Sequence, residues 1–205
     1  MNILENKAPI EEKGTYHLQD GAIVEFYPNW FCKDLADMLF DNLKKNIAWE
    51  QCANNYGPVP RLNAWNSKVG IDYAYSGIKH VGKGWNKGCK VVRDLIASTT
   101  GYKFNSLLLN YYRNGGDSIG KHSDGEPPLG KNPVVASLSL GVPRKFKLIH
   151  QTKKEGSQYL RHEMTLTHGA LVIMAGTLQH TWYHELPKQP DVDGERISLT
   201  FRKIL

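Results

Sequence analysis

The stretch "PVVASLSLG", residues 133–141, alternates between apolar and small polar residues. As an extended strand it places Val134, Ala136, Leu138 and Leu140 on one face and Ser137 and Ser139 on the other. Other segments after residue 102 share that character: "KFNSLLLNYY", "RKFKLIH", "QYLRHEMTL", "GALVIMAG", "TWYHELP" and "RISLTFRKIL". All are short, and many alternate or are rich in branched and aromatic residues. Turn residues separate them in "RNGGDS", "GEPPLGKNP", "KKEGS" and "PDVDGE". Short strands in succession with little helix between them predict a β-sandwich or jelly roll.

Upstream the pattern differs. "PNWFCKDLADMLFDNLKKNIAW" carries Leu35, Leu39 and Leu43 on one helical stripe, with Pro28-Asn29 as its start. A second helix is expected near 86–99, with Val91, Val92, Leu95 and Ile96 on one side and Gly101 at its end. The Asn-, Gly- and Pro-rich residues 51–70 read as loop. The expected organisation is one domain over 1–205: a loose lead-in to residue 20, a helical support over 21–101, and a mainly β core over 102–205. The helices are expected to buttress the sheets from outside.

The chain has 205 residues, long enough for a substantial core, and ordinary proportions of apolar and charged residues. The N-terminus lacks a basic start followed by an apolar run, and no stretch reaches the length of a membrane span. The three cysteines, Cys32, Cys52 and Cys89, are scattered and form no CxxC pair, so free thiols in a reducing cytoplasm or nucleus are expected. The net charge of +6 suits a phosphate-rich partner, although charge alone does not identify one.

Three features carry chemistry. In "KHSDGE", His122 and Asp124 point the same way if the segment is extended. Two histidines and one carboxylate on one face of an ion suit ferrous iron and leave positions open for cosubstrate and oxygen. HxD is weak as a motif; alone it reads as a surface histidine and a turn aspartate. In "QHTWYHELP", residues 179–187, an extended backbone puts both His180 and His184 on one side and so leaves two candidates for the third ligand. In "RISLTFR", Arg196, Ser198, Thr200 and Arg202 share a face. Two inward arginines are costly unless an anion meets them, and the guanidinium fork grips carboxylates; a dicarboxylate such as 2-oxoglutarate satisfies both. The bland alternative is an edge strand with solvated arginines. Asn110 and Tyr112 share a face in "LLLNYYRNGGD" and precede the HxD, where an amide and a phenol suit the same ligand.

Together "NYYRNGGDSIGKHSD", "VVASLSLG", "WYHELP" and "RISLTFRKIL" resemble the AlkB family of iron(II)/2-oxoglutarate-dependent dioxygenases. "PRLNAW" and "YAYSG" resemble the branch with the human double-strand and single-strand repair homologues. The resemblance runs from about Pro60 to Leu205. It implies a double-stranded β-helix with a helical N-terminal part and a lid over the nucleotide. It implies His122, Asp124 and His184 as iron ligands, with His180 left as a neighbour. It implies a 2-oxoglutarate pocket of Asn110, Tyr112, Arg196, Ser198 and Arg202: Arg196 and Tyr112 at the distal carboxylate, Arg202 and Asn110 at the chelating end. It implies Arg61, Trp65, Tyr73, Tyr75, Ser76 and Glu126 near the nucleotide.

The implied activity uses iron(II), 2-oxoglutarate and oxygen to remove the methyl group of 1-methyladenine or 3-methylcytosine in DNA as formaldehyde, with succinate and CO2. Such a base must be flipped out or single-stranded to be reached. Nucleic acid is the expected partner, and a monomer the expected state. An RNA demethylase with the same chemistry is the nearest alternative; a catalytically silent nucleic-acid-binding jelly roll is another. Two departures lie at the substrate mouth: Gly125 where relatives carry an acid, and Asn66-Ser67-Lys68 where many have Tyr-Gly-Asp. The loop "CANNYGPVP" offers Tyr56 or Val59 for insertion into a duplex.

Overall fold

The structure is a computed structural model that describes residues 4–5, 8–54, 57–75, 77–153 and 159–205, with the backbone alone for Tyr75, Ile78 and Lys153. Two antiparallel sheets face each other. The larger has seven strands in the order β1-β2-β13-β10-β15-β8-β5, namely Gly14–His17, Ala22–Tyr27, Leu171–Gly176, Val135–Gly141, Arg196–Arg202, Ser106–Tyr112 and Leu62–Ser67. The smaller has the order β12-β11-β14-β9, namely Tyr159–Leu166, Arg144–Lys153, Trp182–Leu186 and Ile119–His122. Two short hairpins complete the strands: β3–β4 (Ala53–Asn54 with Gly57–Pro58) and β6–β7 (Tyr73–Tyr75 with Ile78–His80).

The alternation in residues 133–141 has a different meaning from a wet and a dry side. Every residue of β10 from Val135 to Leu140 is buried. Ala136, Leu138 and Leu140 pack under helices α1 (Lys33–Asn46) and α2 (Lys87–Thr100), together with Leu107, Leu109, Ile197 and Leu199 of the neighbouring strands. Ser137 and Ser139 look the other way, into the space between the sheets. The same parity sends Asn110 and Tyr112 of β8, and Arg196, Ser198 and Arg202 of β15, into that space. The register fixes the meeting points: Ser198 lies opposite both Asn110 and Ser139, and Arg196 opposite Tyr112. Three central strands thus have an apolar face under the helices and a polar face inside the sandwich. Elsewhere between the sheets the filling is apolar, from Phe26, Val172, Met174, Phe146, Leu148 and Trp182.

The helices lie where expected, with altered buried stripes. In α1 the buried side is Ala36, Leu39 and Leu43, whereas Leu35 is exposed; the helix begins at Lys33, later than Pro28-Asn29. In α2 it is Cys89, Val92 and Ile96, whereas Val91 and Leu95 are exposed. A 3.6-residue period lets two adjacent stripes look equally apolar, and the sheet selects one. The Asn86 side chain caps α2 by accepting from Gly88 N at 2.9 Å, and Gly101 closes it at φ 79°.

Three further expectations need correction. The first 20 residues contain β1 and the buried Leu18, so the lead-in is not loose throughout. Residues 21–101 supply β2 and β5 to the larger sheet as well as helices. Residues 51–70 are not all loop, because Leu62–Ser67 pairs along β8 from Leu62↔Tyr111 to Ser67↔Ser106. Asparagine-rich sequence has low strand propensity, but here Asn63 pairs through its side chain inside the sheet. No helix is long and apolar enough to cross a membrane among the described residues. Cys32, Cys52 and Cys89 are free thiols.

Candidate metal centre and its flanking pockets

His122 ends β9 and His184 sits in the middle of β14; the two residues are direct cross-strand partners. Their rings approach to 4.2 Å between centroids. Asp124 follows two residues after the strand ends, where its backbone N–H donates to the buried Gln179 side chain at 2.8 Å. His122, Asp124 and His184 each bring one ligand atom to within 4.8 Å of the others. His180 is not in this group. It belongs to the helical turn Leu178–Thr181, is exposed, and hydrogen-bonds the Lys131 carbonyl. The equal claim of both histidines assumed an extended backbone, which begins only at Trp182.

The donor set fits a metal on the protein's own terms. His122 Nδ1 is 2.8 Å from the Gly120 carbonyl, so that nitrogen carries the proton and Nε2 keeps its lone pair. His184 is fully enclosed, and its Nδ1 has no partner among the described residues. Burial, then the neighbouring His122, pushes the His184 ring down to about 3, leaving it neutral and able to ligate. Burial alone would raise Asp124, but Arg202 and the two imidazoles outweigh it and hold the carboxyl below its usual range. Arg202 Nη2 donates to Asp124 Oδ2 at 2.8 Å, both groups being buried.

Beyond the cluster, a cavity of roughly 40 Å³ runs between the sheets, bordered by Asn110, Tyr112, Ser137, Arg196, Ser198 and Arg202. Asn110 Oδ1 accepts from Arg61 Nε at 2.8 Å and from Asn63 Nδ2 at 2.6 Å, which commits its oxygen and frees its Nδ2 as a donor. Ser137 Oγ and Ser198 Oγ are 3.1 Å apart. Arg196 is 2% exposed, donates through Nε to Ser139 Oγ at 2.9 Å, and lies 5.1 Å from the Tyr112 ring centre. It has no carboxylate within 4 Å among the described residues. Burial pushes this guanidinium down to about 10, so it stays charged at neutral pH. An uncompensated buried cation is costly and points to an anion that completes the pocket.

A wider cavity of about 540 Å³ adjoins it, sharing Leu108, Ile119, His122 and Arg202; Asp124 lines the wider cavity and His184 the smaller one. Arg61, Tyr73 and Glu126 also line the wider cavity. Tyr73, from the β6–β7 hairpin, hydrogen-bonds the Glu126 carboxylate, and burial pushes its hydroxyl up. Trp65 does not border this cavity. It stacks behind Tyr73 at 5.4 Å and against His80 at 5.3 Å. Arg61 is buried and spends its donors on Asn110 and the Ser118 carbonyl at 3.1 Å. The Tyr75 side chain and Ser76 lie outside the described residues, as does Tyr56. Val59 is buried and faces the cavity, so it does not project as a wedge. Asn66 accepts from Asn86 N at 2.7 Å, giving the first of the departing residues at the mouth a role in seating α2.

Sequence reasoning missed three side chains that shape this region: Asn63, Gln179 and Ser139. Ser139 was legible as facing opposite the apolar stripe; what it meets was not. Asn63 and Gln179 have no local signal, because their partners lie 47 and 55 residues away.

The sequence profile described as the 2OG-Fe(II) oxygenase superfamily matches residues 24–202. Bovine alpha-ketoglutarate-dependent dioxygenase alkB homolog 3 is 35% identical over 208 residues, covering 95% of this chain and 72% of that protein. Human DNA oxidative demethylase ALKBH2 is 34% identical over 199 residues, covering 92% of this chain and 76% of that protein. A solved structure of OsALKBH1 overlays with a TM-score of 0.62 at 16% identity, covering 93% of this chain and all of that one, which supports the shared fold. The chain therefore belongs to the AlkB family within the 2OG-Fe(II) oxygenases, dioxygenases that use iron(II), 2-oxoglutarate and oxygen.

Proposed function

We propose that residues 1–205 act as one dioxygenase domain that oxidatively demethylates 1-methyladenine and 3-methylcytosine in DNA, releasing formaldehyde, succinate and CO2. The observation that carries this reading is positional. Three metal donors stand between a buried pocket with an uncompensated arginine and an open cavity of about 540 Å³ with a carboxylate and a tyrosine on its wall. The charge and size of the first space suit the carboxylate tail of a dicarboxylic cosubstrate, and the second space suits a flipped base. The similarity to human DNA oxidative demethylase ALKBH2 supports the same substrate class.

In this reading His122, Asp124 and His184 hold the iron. When bound, the iron supplies the oxidising chemistry that couples decarboxylation of 2-oxoglutarate to hydroxylation of the methyl carbon. Arg196 and Tyr112 receive the distal carboxylate, with Ser198 beside them. Arg202 and the Asn110 amide meet the end nearest the metal, and Arg202 also restrains Asp124. Arg61 acts through Asn110, whose oxygen it fixes. Tyr73, backed by Trp65, forms a wall for the base. Methylation at these ring nitrogens leaves the base cationic, and Glu126 supplies an opposite charge. Tyr75 and Ser76 are further proposed contacts of the nucleotide. The hydroxymethyl group left on the base nitrogen collapses to formaldehyde and the restored base.

The test is formaldehyde release from matched DNA and RNA oligomers carrying either lesion, single- and double-stranded, with iron(II) and 2-oxoglutarate supplied. Release from DNA supports the proposal. Release from RNA alone moves the substrate to RNA, where the 2′-hydroxyl is the distinguishing group. Binding without release from any oligomer marks a silent nucleic-acid-binding protein.

A further inference from the structure

Arg144 begins β11 and is 1% exposed, yet neither the metal cluster nor the mouth uses it. Its guanidinium donates through Nη2 to the Asp117 carbonyl at 2.9 Å and the Pro187 carbonyl at 2.8 Å. Nη1 reaches the Asn114 carbonyl at 3.2 Å, and Nε the Gln189 side chain at 3.2 Å. Its partners are neutral: three backbone carbonyls and an amide. The Asp117 carboxylate acts on Arg144 only through space, because its hydrogen bonds go to Arg113, from the backbone N at 2.9 Å, Nε at 2.8 Å and Nη2 at 2.9 Å. A fully buried cation held only by neutral acceptors is expensive for stability alone.

Its acceptors belong to two loops, and both lead to the pocket. Asn114 and Asp117 lie between Tyr112 and His122; Pro187 and Gln189 lie between His184 and Arg196. The loops also bond to each other, Gly115 N to Val192 O at 2.9 Å and Gln189 N to Gly115 O at 2.8 Å. Arg144 also lies 5.9 Å from the Tyr112 ring centre, and Arg196 lies 5.1 Å from the same ring. One phenol is therefore flanked by two buried guanidiniums, neither with a carboxylate within 4 Å among the described residues.

We propose that Arg144 is a positioning residue for the distal carboxylate of 2-oxoglutarate: it ties both loops against Tyr112 and adds positive potential behind Arg196. The inference rests on the assignment of Arg196 and Tyr112 to that carboxylate. The added potential favours a dianion over a 2-oxo acid with a neutral tail.

The test is calorimetric titration of the oxygen-free, iron(II)-loaded protein with 2-oxoglutarate and with 2-oxobutyrate, which keeps the 2-oxo acid head and lacks the distal carboxylate. Arg144→Met should weaken 2-oxoglutarate roughly tenfold and 2-oxobutyrate less than about twofold, with iron content unchanged. Arg144→Lys keeps the charge and loses the fork; it should weaken 2-oxoglutarate by about threefold. If Arg144→Met does not fold, Arg144→Lys carries the test. Equal weakening of both acids, or unchanged 2-oxoglutarate affinity, would overturn the inference. Arg196→Met separates the two levels: if it too leaves 2-oxoglutarate affinity unchanged, the pocket assignment itself is wrong. If Arg196→Met weakens binding and neither Arg144 variant does, only the role of Arg144 falls.

Discussion

Two inward arginines six positions apart on β15 sit in opposite electrostatic settings. Arg202 is neutralised by Asp124 at 2.8 Å, at the metal end. Arg196, at the far end, has a serine hydroxyl, a phenol ring and a second buried guanidinium for company. From sequence they form one pair sharing a strand face; in the fold they differ in kind. An arginine bonded to the carboxylate of the candidate metal cluster restrains that side chain whether or not a cosubstrate is present. An arginine with no counter-ion is completed only by an incoming anion. The polar inner face therefore runs from a charge-balanced end to a charge-deficient one, and the proposed placement of 2-oxoglutarate puts its distal carboxylate at the deficient end.

The largest expected effect lies at the balanced end. His184→Ala should abolish iron retention and lower turnover by more than about a thousandfold, whereas His180→Ala stays within about twofold. Metal analysis after anaerobic loading checks both, and loss of iron in the His180 variant would break the ligand assignment. Next, the arginines should separate. Arg196→Met should weaken 2-oxoglutarate by about a hundredfold with iron retained, since a charge-assisted contact is lost. Arg202→Met should cost roughly ten- to a hundredfold in iron affinity besides weakening 2-oxoglutarate, because the proposed ligand Asp124 loses its outer partner. Identical profiles for the two variants would erase the contrast.

A smaller effect concerns the loop before β9. Burial alone would raise Asp117, but the bonds and charge of Arg113 outweigh it and hold the carboxyl below its usual range. A depressed carboxylate contributes stability above its unfolded pKa near 3.9 and loses it as pH falls through the lower folded value. Arg113 is half exposed, so screening limits the effect of Asp117→Asn to about 1 kcal/mol. The melting difference between this variant and the parent should be constant from about pH 8 to pH 5 and narrow progressively as pH falls below the ordinary carboxylate pKa of about 3.9. A difference that widens in acid would contradict the pairing.

The alternation in "PVVASLSLG" was enough to predict a strand and to separate Ser137 and Ser139 from the apolar stripe. It did not say that both faces are buried, because that depends on helices supplied by residues 33–46 and 87–100. Parity likewise aligned Arg196 with Arg202 but held no information about Asp124, 78 residues away. Where parity failed, the backbone left the strand, as at the helical turn carrying His180. Where propensity failed, side chains overrode it, as at Asn63. Arg144 escaped notice because nothing near it in sequence distinguishes it from a surface arginine. Its acceptors come together only when the loops after β8 and β14 meet.

The most direct measurement of the proposed chemistry is the ratio of formaldehyde to succinate formed on a single-stranded DNA oligomer carrying 3-methylcytosine. The expected result is near-equal yields, with both lost in His184→Ala. Succinate formed without formaldehyde on this oligomer and on its 1-methyladenine, duplex and RNA counterparts would contradict the account.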